Sequence, residues 1–318
     1  MSDQRWGLTL PLPMLPLSQH EDLVRRAETA GYTDLWTGET QGPDGFTPLA
    51  LASAWTDRAR LGTGVVGVFT RGPALLAQQA AALADASGGR FALGSGVSSD
   101  RIVEGWNRIP LERPLAKMSD TIDFLRQVLA GERAAGGGFK LEQPPAEPVP
   151  IVVAALRGKM LRLAVDKGDG AFTNFLPLAG LPKVTAALEG APEGFELLCR
   201  FFCLPGPREQ VEPLARFMFA SYATVPFYEA FFRWLGYGER IDDMVEAWKR
   251  GDRDAATAAA PWELIEDVFV FGEPEEMKER LGRFVDGGIT LPVLTPVTTP
   301  DRLRDMIESL APRRPARG

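Results

Sequence analysis

Leu61-Gly62-Thr63-Gly64-Val65-Val66-Gly67-Val68-Phe69 decides between two folds. Taken literally, Gly62, Gly64 and Gly67 spell G-x-G-x-x-G, the fingerprint of a dinucleotide-binding turn that passes from a strand into a helix. The neighbouring residues forbid that passage. Val65, Val66, Val68 and Phe69 favour extended chain, and the first residue suited to open a helix is Pro73. The glycines therefore lie within a strand. There they mark a bulge, tight packing, or the close approach of a ligand to the backbone.

On either side of this stretch the chain alternates strand and helix. Short apolar strands are expected at 5–10, 34–37, 61–69, 90–96, 151–155, 170–174, 195–203 and 289–294. Helical patterns separate them, among them 73–86, opened by Pro73 and closed by Gly88-Gly89. Ser18-Gln19-His20-Glu21 has the form of a capping box ahead of a helix that ends at Gly31. Residues 207–266 carry several aromatic-rich amphipathic helices and no good strand, so they are expected to form an insertion before the last strand. Residues 268–271 are expected to be a connector. Eight apolar strands alternating with helices imply a parallel sheet covered on both faces, and eight is the number that closes a (β/α)8 TIM barrel. An open doubly wound sheet is the competing arrangement. The expectation is one barrel domain over 1–318, with a flexible tail at 312–318.

Composition narrows the chemistry. Of 318 residues, 45% are hydrophobic and 24% charged, as in ordinary globular proteins, and 33 Gly and 26 Pro without a repeat imply many tight connections. A single histidine excludes a tri-histidine zinc site and the H-E-x-x-H motif, and leaves His20 as the one base available to a Ser-His-Asp triad. No metal is expected. Cys199 and Cys203 lie in an apolar run and read as buried thiols on a strand. A net charge of -7 argues against nucleic acid as a partner. No apolar run reaches the ~18 residues of a membrane span, so a cytoplasmic protein acting on small molecules is expected.

In a barrel, function gathers at the C-terminal ends of the strands. Glu39 follows the second strand and is either a candidate acid/base or a surface acid. Gly94, Ser95 and Gly96 end the fourth strand, and small residues of this kind suit a phosphate or the edge of a flat ring. Ala155, Arg157, Gly158 and Lys159 enter a helix after the fifth strand, where free N–H groups and two cations suit a phosphate. Trp36, Thr40, Trp106 and Asn107 are candidates for a substrate pocket. The aromatic residues Phe217, Phe219, Phe227, Phe231, Phe232 and Trp234 read more readily as insertion core than as a substrate wall.

Several segments, in order, resemble the bacterial luciferase-like family, and within it the coenzyme F420-dependent oxidoreductases. They are Ala27-Glu28-Thr29-Ala30-Gly31-Tyr32-Thr33-Asp34-Leu35-Trp36, Leu61 to Val65, and Thr70-Arg71-Gly72-Pro73. Ser87 to Phe91, Leu93 to Gly96, Pro150 to Met160, Asp169-Gly170 and Phe271 to Glu276 continue the series. Together they span about 5–175 and 268–294; the insertion carries no such signature. The resemblance implies a TIM barrel with coenzyme F420 or, alternatively, FMN, and commonly a homodimer. It implies that Gly64 and Val65 form a bulge, often with a cis peptide, behind the redox ring. The loop after the fourth strand and the Ala155–Lys159 turn would hold the cofactor's tail. One departure stands out: where deazaflavin members often carry an acid followed by His, this chain has Glu39-Thr40. Three functions follow for testing: deazaflavin-dependent hydride transfer, FMN-dependent monooxygenation, and a non-catalytic ligand-binding barrel.

Overall fold

The computed structural model describes residues 4–136 and 138–312, so the tail expected to be flexible lies, from Arg313 on, outside the described residues. The strands are β1 (Gly7–Leu10), β2 (Asp34–Thr37), β3 (Arg60–Thr63), β4 (Val66–Gly67), β5 (Phe91–Gly96), β6 (Ile151–Ala154), β7 (Gly170–Asn174), β8 (Glu196–Pro205), β9 (Val270–Gly272) and β10 (Leu291–Pro296). All pair in parallel, in the order β1-β2-β3-β5-β6-β7-β8-β10. β10 closes the circle, aligning Val293 with both Gly7 of β1 and Arg200 of β8. This is a (β/α)8 barrel, and the open sheet is excluded.

Side chains alternate across the barrel wall as strand geometry requires. Trp36, Ala92, Val152, Phe172, Leu198, Leu291 and Val293 fill the interior. Their chain neighbours, such as Leu35, Leu93, Val153 and Cys199, pack outward against the helices. Trp36 and Phe172 meet edge to face at 5.4 Å on the barrel axis. Gly62 exists for Trp36, because a Cβ there would lie 2.4 Å from the indole. One glycine of the G-x-G-x-x-G stretch is thus a packing residue.

The stretch expected as a single strand over 61–69 is broken. Gly62 aligns with Ala92, but Val66 aligns with Ser95, so this side carries one residue more than its partner between the two pairs. That is a β-bulge, and its Gly64–Val65 peptide is cis. Residues 268–271 also differ from expectation. β8 runs past the barrel rim, and its free edge at Cys203–Pro205 is taken by β9. The insertion consists of helices Arg208–Ala223, Pro226–Leu235, Gly238–Lys249, Arg253–Ala259 and Trp262–Val268 around a second core that includes Phe219, Phe232, Ile241 and Met244.

Ser18 makes no capping box. It lies in a 3-10 turn, Leu17–Gln19, that follows Pro16, and His20 becomes the N-cap of the helix Glu21–Ala30. His20 is buried. Its Nε2 accepts the Leu12 N–H at 2.7 Å, and Nδ1 donates to the Pro16 carbonyl at 3.0 Å. Both nitrogens are committed to backbone, which removes His20 as a triad base. Cys199 and Cys203 are free, buried thiols. Burial pushes both up, Cys203 to about 12, so neither forms a reactive thiolate. Among the described residues no helix is long and apolar enough to cross a membrane, and no group of side chains forms a metal site.

Candidate active site

A cavity of about 1170 Å³ opens at the C-terminal mouth of the barrel. Its floor is the bulge. Gly64 and Val65 line it, and the Gly64 N–H is held by the Thr37 carbonyl at 2.7 Å. A Cβ on Gly64 would meet the Phe172 ring at 2.3 Å and the same carbonyl at 3.1 Å, so glycine lets the shelf seat directly on the barrel core. At the other end, Ala155, Arg157, Gly158 and Lys159 line the cavity where the helix Gly158–Lys167 begins. Its start at Gly158 brings Gly158 and Lys159 into the first turn. First-turn N–H groups lack intrahelical partners and face outward with a partial positive charge.

The cavity also brings together Glu39 and Thr40 from the loop after β2 with Trp106 and Asn107 from the turn after β5. Trp106 is 42% exposed on the π-helical turn Arg101–Trp106, with Arg101 5.4 Å over its ring. Asn107 ties that turn by donating to the Ile102 carbonyl at 2.8 Å.

Four expected site residues lie elsewhere. Trp36 is fully buried in the barrel interior, one layer below the mouth, because its β-strand position points inward. Gly94 packs on Thr63, whose carbonyl would lie 1.8 Å from a Cβ there. Ser95 is buried on the strand face it shares with Phe91 and Leu93, toward the helices. Gly96 sits beneath the shelf, where a Cβ would meet Ala154 at 2.7 Å and Val65 at 3.0 Å. β5 is buried to its last residue, so the segment that reaches the cavity is Val97, Ser98 and Ser99.

Glu39 is at the mouth, but its oxygens are engaged. Arg71 grips both, Nη1 to Oε2 and Nη2 to Oε1 at 2.5 Å each, and the Gly45 N–H donates to Oε1 at 3.1 Å. Asp44 is likewise satisfied. Burial alone would raise its carboxyl, but the Thr47 hydroxyl and the N–H groups of Phe46 and Thr47 hold it below the usual range.

Arg200, Tyr222 and Tyr228 also line the cavity, although no motif in the sequence marks them. Arg200 of β8 enters the mouth from inside the barrel, 5.3 Å over the Phe172 ring, and its Nη2 donates to the Thr37 carbonyl at 3.1 Å. Tyr222 and Tyr228 from the insertion face it across the cavity. Asn174 donates to the Tyr228 hydroxyl at 2.9 Å. Burial pushes both tyrosine hydroxyls up, so they stay protonated. The insertion is therefore part core and part wall: Phe219, Phe231 and Phe232 are buried, Phe217 is half exposed, and Phe227 lines the cavity. The available signal for Arg200 was a charge set between Leu198 and Phe202 on the inward face of β8, four residues past Glu196 at the strand's start.

Charge in the cavity runs opposite to that of the whole chain. Arg71, Arg157, Lys159 and Arg200 line it against two carboxylates, Glu39 and Asp44, both already bound by protein donors. An anionic ligand suits that balance.

Comparison with known proteins agrees with this architecture. The model of the luciferase-like monooxygenase family matches residues 4–291. A relative in Mycobacterium tuberculosis strain H37Rv, provisionally named coenzyme F420-dependent oxidoreductase Rv3520c, is 29% identical over 337 aligned positions, covering 92% of this chain and 94% of its own. Two solved structures share the fold. The coenzyme F420-dependent tetrahydromethanopterin reductase of Methanopyrus kandleri has a TM-score of 0.75 at 20% identity, over 96% of this chain and 97% of that one. The oxygenating constituent of 3,6-diketocamphane monooxygenase from Pseudomonas putida, in complex with FMN, has a TM-score of 0.66 at 14% identity, over 97% and 96%. Because the family model runs from before β1 to the start of β10, the chain belongs to the luciferase-like monooxygenase family.

Proposed function

We propose that the protein is a coenzyme F420-dependent oxidoreductase that moves hydride between the deazaflavin and a small organic substrate. The observation that carries this reading is the single cavity joining the Gly64–Val65 shelf to the Arg157–Lys159 helix start. A flat backbone surface at one end and a cationic N-terminus at the other suit a planar ring with an anionic, phosphate-bearing tail. At about 1170 Å³ the cavity exceeds the ~300–1,000 Å³ of a site for one small molecule, which leaves space for a substrate beside the cofactor. The full-length similarity to a relative named for F420 supports the same choice.

Bound there, the reduced deazaflavin supplies a hydride. The chain's own residues do the rest. Gly64 and Val65 would back one ring face, and Arg157, Lys159 and the helix N-terminus would hold the tail. Trp106 and Phe227 narrow access to water. Tyr228, protonated and oriented by Asn174, is placed to hold or deliver a proton at a substrate oxygen. Glu39, with both oxygens committed, anchors Arg71 and the loop to Gly45. A Glu39→Gln variant is expected to keep turnover and loosen that loop. Loss of turnover with cofactor affinity intact would instead make Glu39 the proton carrier.

FMN-dependent monooxygenation is the second reading, supported by the family's name and by the FMN-bound structural relative. Equilibrium titration followed by fluorescence separates the two. Tight deazaflavin binding with far weaker FMN binding is the expected result. The reverse order would select the monooxygenase, and binding of neither would leave a non-catalytic barrel.

A further inference from the structure

Arg200 is set in the top layer of the barrel, one strand repeat above Leu198, with no acidic partner among the described residues. Its single hydrogen bond among the described residues runs from Nη2 to the Thr37 carbonyl. Its Nε is enclosed and bonded to nothing. The titratable groups that flank it are Tyr222, Tyr228 and Cys199, none of them a carboxylate. Guanidinium stays charged in proteins, and a cation withdrawn from water is retained at a cost unless an anion completes it. The two carboxylates on the cavity wall are unavailable, since Arg71 holds Glu39 and Thr47 with its neighbours holds Asp44. The opening beside Arg200 is kept by Gly38, where a Cβ would come 3.1 Å from Nη1. Tyr222, Tyr228 and Phe227 flank it.

We infer that Arg200 is the receptor for a carboxylate of the substrate, so that the enzyme acts on small organic acids whose unsaturated or aromatic body lies against the insertion's aromatic residues. This rests on reading the cavity as a deazaflavin site with the substrate beside the ring. Arg157, half-buried, and Lys159, exposed, stand at the far end, where the cofactor's tail is placed, whereas Arg200 adjoins the shelf through the carbonyl it shares with Gly64. An acid held there lies next to the ring. Tyr228 lines the same cavity and offers its hydroxyl to a second oxygen of the same molecule.

The test uses the whole chain without cofactor, so that failure to bind deazaflavin and failure of Arg200 to bind a carboxylate are read separately. Nitrogen-15-labelled protein is titrated with sodium benzoate and, in parallel, with benzamide at constant ionic strength. The Arg200 Nε–H signal, shielded from solvent exchange by its enclosure, is assigned by its disappearance in Arg200→Lys. Benzoate is expected to move that signal saturably and to bind about tenfold or more tighter than benzamide, as a charge-assisted pair requires. Arg200→Gln is expected to erase the preference and Arg200→Lys to restore part of it. A signal indifferent to benzoate overturns the assignment, as does a preference that survives in Arg200→Gln. The titration is then repeated on protein loaded with deazaflavin. Retained benzoate binding supports the substrate role. A shift caused by deazaflavin alone, with benzoate excluded, gives the guanidinium to the ring's own oxygens and overturns it.

Discussion

At the N-terminal end of the barrel Arg5 and Arg60 converge on Asp34 and Glu196, whereas at the C-terminal end Arg200 meets no carboxylate. Both ends place guanidinium against the same aromatic column. Arg60 lies 5.4 Å from the Trp36 ring, Trp36 meets Phe172, and Phe172 lies beneath Arg200. The column is capped by cations above and below, yet only the lower cap is neutralised within the chain. The four lower residues stand at or just before the starts of β1, β2, β3 and β8, so their pairing ties four strands together. Barrels keep stability at that face and function at the other. The difference teaches that a buried cation paired from within serves the fold, while one left open at the mouth waits for a ligand.

The largest effect is expected from breaking the lower cluster. Asp34 is fully buried. Burial alone would raise its carboxyl, but Arg60 and Arg5 outweigh that and hold it below its ordinary value. Asp34→Asn leaves two guanidinium groups on Glu196 alone, a loss of about 3 kcal/mol, to be read as a lower denaturant midpoint. The sign with pH follows from the depressed folded value. The stabilisation is complete above the unfolded value of 3.8 and disappears as pH falls through the lower folded value. The gap between wild type and Asp34→Asn should therefore close in acid. A gap that widened in acid would show that the carboxylate is not the group being titrated.

Next comes the column itself. Gly62→Ala places a methyl 2.4 Å from the Trp36 indole, which is hemmed in by Phe172 and cannot retreat. Overpacking of this kind costs about 1–3 kcal/mol. Since Gly62 does not line the cavity, ligand affinity in the folded fraction should stay near wild type. A variant with normal stability but weakened binding would move Gly62 from the packing side of the comparison to the ligand side.

These two regions were unequally legible. The strands stand out in the sequence because a parallel sheet covered on both faces demands unbroken apolar runs such as Ile151–Ala154. The failure of G-x-G-x-x-G to open a helix exposed the bulge for the same local reason. The cavity is harder to read, since its residues come from the ends of different strands and meet through closure alone. Ser95 faces the helices because one residue along a strand reverses a side chain's direction, and Trp36 points inward but one layer too deep. Glu39 was given a free carboxylate because Arg71, 32 positions later, becomes its partner only in three dimensions. Arg200 could have been found as a charge flanked by Cys199 and Phe201 in the middle of β8, but nothing linear joins it to Tyr222 and Tyr228.

The smallest stability effect, and the sharpest test of the contrast, is expected at the upper cap. Arg200→Met keeps the length of the side chain over Phe172, removes a charge that no protein group neutralises, and releases one hydrogen bond to Thr37. That carbonyl stays satisfied by the Gly64 N–H. Deleting a half-buried cation with no acidic partner among the described residues relieves part of its desolvation, while the lost hydrogen bond works the other way by about 1 kcal/mol. The sum is expected between zero and about 2 kcal/mol in favour of the variant, measured by denaturant unfolding of cofactor-free protein. The comparison with Asp34 then acquires opposite signs at the two ends of one barrel. If Arg200→Met instead costs as much as Asp34→Asn, Arg200 belongs to the framework, and the mouth holds its charge for packing rather than for a ligand.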